Sequence, residues 1–248
     1  KQEVRRPDLT AHALARPTFG SAWRDFITLP QARRLLWALG LGTMGFTMQD
    51  ILLEPYGAQV LGLSVSGTTM LTAIFAGGMV LALLITARSL AKGTDPILIA
   101  SIGVMFGVAA FSLVCLSALV DSSSLFQLGV VLIGFGHGLF AVGMLTAAMM
   151  FGGKTMVGLT LGAWGAVQAT ASGVAVFSGG AIRDLVSSWG EVGLLGMAMR
   201  SPAAGYLSVY IFEAALLFLA LASLGPLARR VITSGNSADG LKLEDFPN

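Results

Sequence analysis

Charge is what this sequence lacks. Only 11% of its 248 residues are Asp, Glu, Lys or Arg, against about 25% in an ordinary soluble domain, so most of the chain has no water-facing surface to cover. Cysteine is reduced to Cys115, which excludes an internal disulfide framework, and two histidines leave no Cys/His zinc spacing. Set in an apolar run, Cys115 reads as a small buried hydrophobe. A nucleotide-binding glycine loop and a serine-triad motif are missing too, and basic residues are not interleaved with aromatics as nucleic-acid binders need. These absences argue against a soluble enzyme and against nucleic acid as a partner. The chain opens on Lys1 without the basic region, short apolar core and cleavage site of a secretory signal. A first residue other than Met fits part of a longer protein.

Apolar residues and glycine fill the space that charge leaves. Hydrophobic residues make up 55% of the chain and 32 residues are glycine, well above the roughly 7% average. Glycine at that density inside apolar stretches suits membrane helices, whose backbones approach closely at small residues. Six segments are long enough for a hydrocarbon core that needs about 20 residues: 34–56, 66–87, 96–119, 125–150, 156–182 and 203–225. With these six spans, 13 of the 15 Lys and Arg fall on one side and only Arg183 and Arg200 on the other. The positive-inside rule then puts both termini and the 88–95 loop in the cytoplasm. The expected fold class is an all-α membrane protein of six transmembrane helices.

The rest of the chain divides around that domain. Residues 1–30 read as a cytoplasmic linker that ends in a short helix on the membrane surface, with Trp23, Phe26, Ile27 and Leu29 among Arg24 and Asp25. The transmembrane domain covers 31–230. Within it, 184–201 is too short and too polar to span and reads as an interfacial or re-entrant periplasmic segment, with Trp189 at headgroup level. Residues 231–248 form a polar cytoplasmic tail. Small-residue pairs four apart (Gly103 and Gly107, Gly134 and Gly138, Gly158 and Gly162) predict tight helix seams.

Ionisable groups inside a membrane are costly and face a bundle interior or cavity. Asp50 and Glu54 lie four apart on one helix face, with Gln49 beside them and Pro55 placed to kink or end the helix. Either both carboxylates reach water at the membrane face, or they form a polar gate, proton site or ligand contact. His137, within Gly134-Phe135-Gly136-His137-Gly138, sits about 18 Å into its helix, near the midplane. Its imidazole could ligate a metal, shuttle protons or hydrogen-bond across helices. Trp164 and Gln168, also four apart and flanked by Gly162, Gly165 and Gly173, suit a planar, mostly apolar ligand, though packing explains Trp164 equally. Glu213 lies deep in the last span, neutral or paired, with its role and partner open.

Several strings carry a resemblance. Residues 46–57 (FTMQDILLEPYG), 59–64 (QVLGLS), 132–140 (LIGFGHGLF) and 161–171 (LGAWGAVQATA), with Arg183-Asp184, resemble the PucC/LhaA family of light-harvesting complex assembly proteins. That family belongs to the major facilitator superfamily and normally has twelve spans. The resemblance runs from Arg33 to about Arg230 and corresponds to the C-terminal six-helix half, so an N-terminal half becomes an implied partner. It implies spans one, two, four and five around a central cavity, with Asp50, His137, Trp164 and Gln168 aimed inward and Glu213 on an outer helix. It further implies an assembly factor in the inner, intracytoplasmic photosynthetic membrane of a bacterium. Such a factor binds or transiently carries bacteriochlorophyll and engages antenna polypeptides, the reaction centre and lipids. The residues' own chemistry, rather than the family, makes His137, Trp164, Gln168, Gln49, Asp50 and Glu54 the candidate pigment or ligand-binding residues, with His137 as the hypothesised axial ligand to the pigment magnesium. The alternative is a proton-coupled major-facilitator transporter of a small solute, with Asp50 or Glu54 as proton site.

Overall fold

The structure, a computed structural model, describes residues 19–194, 196 and 200–238. The sequence expectations for residues 1–18 and 239–248 lie outside that range. Seven α-helices follow in order: α1 (Phe19–Thr28), α2 (Pro30–Thr47), α3 (Leu53–Gln59), α4 (Val65–Ala91), α5 (Pro96–Leu119), α6 (Ser123–Glu191) and α7 (Ala203–Ala238), with a 3-10 turn, Met48–Ile51, between α2 and α3. Among the described residues, four stretches are long and apolar enough to cross a membrane: α4, α5, Ser123–Phe151 of α6 and Ala203–Leu227 of α7. The chain is accordingly a multi-pass, all-helical membrane protein. The other two expected spans are helical but less apolar. Gln31, Arg33 and Arg34 open α2, and the latter part of α6 is diluted by Gly, Ser, Thr and Gln168.

Helix ends follow local chemistry. Asp95 caps α5, accepting from the Ile97 N–H at 2.7 Å with Pro96 at the first helical position. Ser64 and Ser122 cap α4 and α6 in the same way, through Gly67 N–H and Leu125 N–H. At the end of α4 the chain turns through Gly93, at φ 83°. Gly93 N–H then bonds Leu90 O and Thr94 N–H bonds Ser89 O, a paired closure that needs a left-handed residue. The end of α5 uses Asp121, at φ 50°, in the same role.

α6 is helical along its whole length, yet its two arms meet α2 in opposite order. Phe126 packs on Tyr56, His137 and Phe140 on Phe46, and Phe151 on Phe26. On the second arm, Ala163 clusters with Phe26, Gly40 faces Val167, and Gly179 faces Met48. The chain direction therefore reverses between Phe151 and Leu159, and the two arms lie antiparallel. Two helices run past the expected membrane segments. The fifth helix continues past Ile182 to Glu191, and α7 continues past Arg230 to Ala238.

Two of the three expected glycine seams are tight contacts. A Cβ on Gly103 would lie 2.6 Å from the Gly136 carbonyl oxygen, and one on Gly143 would lie 2.7 Å from the Pro96 carbonyl oxygen. Gly134 and Gly138 press against α4 at Phe75, Met79 and Ala82. Small residues thus let α4 and α5 approach the first arm of α6 backbone to backbone. The third pair differs: Gly158 and Gly162, with Gly165 and Gly173, face open space. α4 turns Met70, Val80, Leu81, Leu84 and Ile85 outward, the surface a lipid-facing helix presents.

Candidate functional site

A break in the first span builds the site. A continuous helix over 34–56, ended by Pro55, was the simplest expectation; the helix instead stops at Thr47, a 3-10 turn follows, and α3 restarts at Leu53. Pro55 falls in the first turn of α3, where its missing N–H costs nothing. The break lies upstream of it, at Met48-Gln49-Asp50-Ile51. A 3-10 turn changes which carbonyls the backbone donors reach, and a freed donor in a bundle needs another partner.

Glu213 supplies that partner. Its Oε1 accepts the Gln49 backbone N–H at 2.6 Å, across 164 residues of sequence. Glu213 and Gln49 are both fully buried. The Gln49 side-chain amide donates to the Phe46 carbonyl at 3.2 Å and to Asp50 Oδ1. Asp50 itself reaches the surface. Gln49, Asp50 and Glu213 thus form one polar knot that pins the break to α7. The outer-helix expectation for Glu213 hid this partner, because α7 packs directly on α2.

Phe46 joins the knot to His137. Its carbonyl accepts from Gln49, and its ring stacks on the imidazole at 5.2 Å between centroids, with 4° between planes. Phe75 of α4 lies 6.2 Å away on a tilted plane. The imidazole is half-buried, and its Nδ1 is enclosed without a hydrogen-bond partner. Histidines that ligate metals usually have the second nitrogen held by a partner, so the residue arrives unbraced. Among the described residues nothing bonds its Nδ1 as a bridge between helices.

The remaining expected residues do not join this knot. Glu54 is exposed and accepts from the Thr72 hydroxyl at 2.7 Å. Trp164 and Gln168 are half-buried on the second arm of α6, and Trp164 packs against the main core with its indole N–H enclosed and unpartnered. The expected residues therefore fall into three groups: Gln49, Asp50, Glu213 and His137 around Phe46; Glu54 with Thr72; and Trp164 with Gln168. Among the described residues no group of three or more His, Cys, Asp or Glu side chains could hold a metal ion.

A second polar cluster had no signal beyond the Arg183-Asp184 pair. Arg183 donates to Asp184 at 2.6 Å, to Gln59 at 2.9 Å and to the Tyr206 hydroxyl at 2.8 Å, with its guanidinium 4.7 Å from the Tyr206 ring centre. The hydrogen bond to Asp184 raises the guanidinium further above its ordinary value, so it stays charged. This cluster ties α3, α6 and α7 together beside a cavity of about 350 Å³ that also touches Ser187, Glu191 and Arg200. At the opposite end a cavity of about 530 Å³ lies among Leu90, Asp95, Pro96, Thr146 and Met150. Neither cavity contains an expected site residue.

Comparison with known proteins adds the family. The model described as "PUCC protein" matches residues 1–232. A Rhodobacter capsulatus protein described as an uncharacterized protein in the puhA-bchM intergenic region is 47% identical over 230 residues, which is 92% of this chain and 48% of that protein. Protein PucC of Cereibacter sphaeroides is 40% identical over 234 residues, 94% of this chain and 50% of that protein. Protein PucC of Rhodovulum sulfidophilum is 49% identical over 170 residues, 68% of this chain and 37% of that protein. The chain thus spans at most about half the length of these curated relatives. No solved structure matches. A match over residues 1–232 leaves only the last 16 residues outside it, and the chain belongs to the PUCC protein family.

Proposed function

We propose that this chain is a non-enzymatic assembly factor for bacterial light-harvesting antenna complexes, binding or transiently carrying bacteriochlorophyll and engaging antenna polypeptides in the photosynthetic inner membrane. Family membership across residues 1–232 is the observation that carries the reading. The finer architecture belongs to the same proposal: six spans, both termini cytoplasmic, and the C-terminal half of a major-facilitator bundle whose N-terminal six-helix half is a partner. The reaction centre and membrane lipids are further neighbours on this reading.

The residues around Phe46 fit a pigment in one respect. A half-buried imidazole stacked on Phe46 and near Phe75 would offer Nε2 to a pigment magnesium, with Nδ1 lacking the partner that braces most metal-bound histidines. Magnesium favours oxygen donors, but a neutral imidazole is a general metal ligand. When bound, the pigment supplies the light-absorbing chemistry; the chain supplies the ligand, an apolar wall and the helix positions. Trp164 and Gln168 supply a flat aromatic and an amide for a second contact on the other arm of α6. Gln49, Asp50 and Glu54 border the break, with Gln49 holding Phe46 in place. Proton-coupled solute transport is not favoured: Glu54 is exposed and engaged by Thr72 rather than enclosed.

The test is gentle purification from a phototrophic membrane, followed by near-infrared absorption and mass spectrometry of bound partners. Bacteriochlorophyll and antenna polypeptides in stoichiometric amounts are expected, and a colourless protein without antenna partners refutes the proposal. His137→Ala is expected to lower pigment per protein with helicity intact. Unchanged pigment in that variant removes His137 from the site.

A further inference from the structure

The knot at the α2–α3 break is one proton short of complete. Glu213 Oε1 has its donor in the Gln49 N–H, but Glu213 Oε2 is buried without a partner. Gln49 Nε2 lies between two acceptors, the Phe46 carbonyl and Asp50 Oδ1. That arrangement fixes the orientation of the amide and leaves Gln49 Oε1 buried and unpartnered as well. Two enclosed oxygens, both acceptors when the carboxyl is ionised, belong to residues already joined by one hydrogen bond. A carboxyl protonated on Oε2 turns one of them into a donor.

The surroundings favour that occupant over a metal ion. Asp50 from the 3-10 turn, Cys115 from α5 and Tyr210 from α7 lie within electrostatic reach of Glu213, with Tyr56 of α3 packed on Tyr210 and Tyr206 packed on Tyr56. From α6, His137 stands beyond the Phe46 ring. Among the described residues the one ion pair is Arg183 with Asp184, so no cation pairs with Glu213. Hard metal ions gather six or more oxygens, and no cluster of three ligating side chains exists among the described residues. A bare carboxylate enclosed in a membrane bundle without a counter-ion is costly.

We propose that Glu213 and Gln49 form a proton-held latch: one proton, carried on Glu213 Oε2 and donated to the Gln49 amide oxygen, locks the broken first span onto α7. The neutral acid then makes two bonds to one residue, through Gln49 N–H and Gln49 Oε1. Because Gln49 also holds the Phe46 carbonyl, the latch fixes the ring on which His137 stacks. It is independent of whether a pigment binds there.

The test uses the full chain in detergent micelles and reads infrared absorption at neutral pH. A protonated-carboxyl band is expected that is lost in Glu213→Gln and shifts in Gln49→Leu. Absence of that band in the unaltered chain overturns the latch, and so does its loss on replacing potassium by sodium, which would make the occupant a metal cation. Glu213→Gln presents the same donor and acceptor pair as the neutral acid and is expected to keep the thermal midpoint, whereas Glu213→Leu lowers it. A Glu213→Gln midpoint as low as that of Glu213→Leu also overturns the proposal. Should Glu213→Gln fail to fold, the band in the unaltered chain and its shift in Gln49→Leu decide the matter.

Discussion

Replacing Gly103 by Ala tests whether glycine holds the bundle together by close approach rather than by composition. The new Cβ would sit 2.6 Å from the Gly136 carbonyl oxygen, 2.7 Å from the Phe140 nitrogen and 2.9 Å from the Leu139 Cβ, where ordinary contact begins at 3.4 Å. Two of those three atoms are backbone, so no side chain can swing away. The first arm of α6 must retreat from α5 by several tenths of an ångström along the most extensive helix contact in the bundle. Overpacking of this kind costs about 1–3 kcal/mol. Alanine's better helix propensity returns about 1 kcal/mol, leaving a net loss of up to roughly 2 kcal/mol. Gly162→Ala is the matched control, because nothing lies within 4 Å of its Cβ. It keeps only the propensity gain and is expected to be neutral or stabilising by up to about 1 kcal/mol. Unfolding both variants in mixed micelles with increasing sodium dodecyl sulfate, followed by helicity, reads the difference directly. If Gly162→Ala costs as much as Gly103→Ala, the close-approach argument is wrong.

Two further perturbations probe local chemistry. Tyr206→Phe removes the hydroxyl that accepts from Arg183 and donates to Gln59 at 2.8 Å; a loss of about 1–2 kcal/mol is expected in the same unfolding assay, and no change means the cluster is solvated rather than structural. Asp95→Ala strips the α5 cap and should cost about 1 kcal/mol, with faster amide hydrogen exchange at Ile97 as the local sign.

The helices were legible because each signal is local. Low charge, long apolar runs and glycine density announce membrane helices without any knowledge of neighbours. Asp95-Pro96 and Ser64 mark helix starts by chemistry that one turn of backbone contains. The glycine pairs at 103/107 and 134/138 were read correctly as seams. The same pattern at 158/162 meets nothing among the described residues, because spacing says that a face is smooth and not what covers it. Pro55 misled in the same way. It is the strongest breaker in the segment, yet the helix breaks at Met48–Ile51, where Glu213 offers a replacement acceptor from another helix.

The candidate site divides along the same line. His137, Gln49, Asp50 and Glu213 stood out because polar groups in apolar runs are conspicuous in any sequence. Phe46 did not, since one phenylalanine among 14 carries no mark of the imidazole it stacks on. Nor could Gln59 and Tyr206 be linked to Arg183, from which they lie 124 and 23 residues away. The sequence by itself determined the class of solvent, the helical content and which side chains are expensive to bury. Only the tertiary structure decided which of them share a contact. Hydrophobicity is a property of each residue, whereas a hydrogen bond across 164 residues exists only once α2 and α7 are packed together.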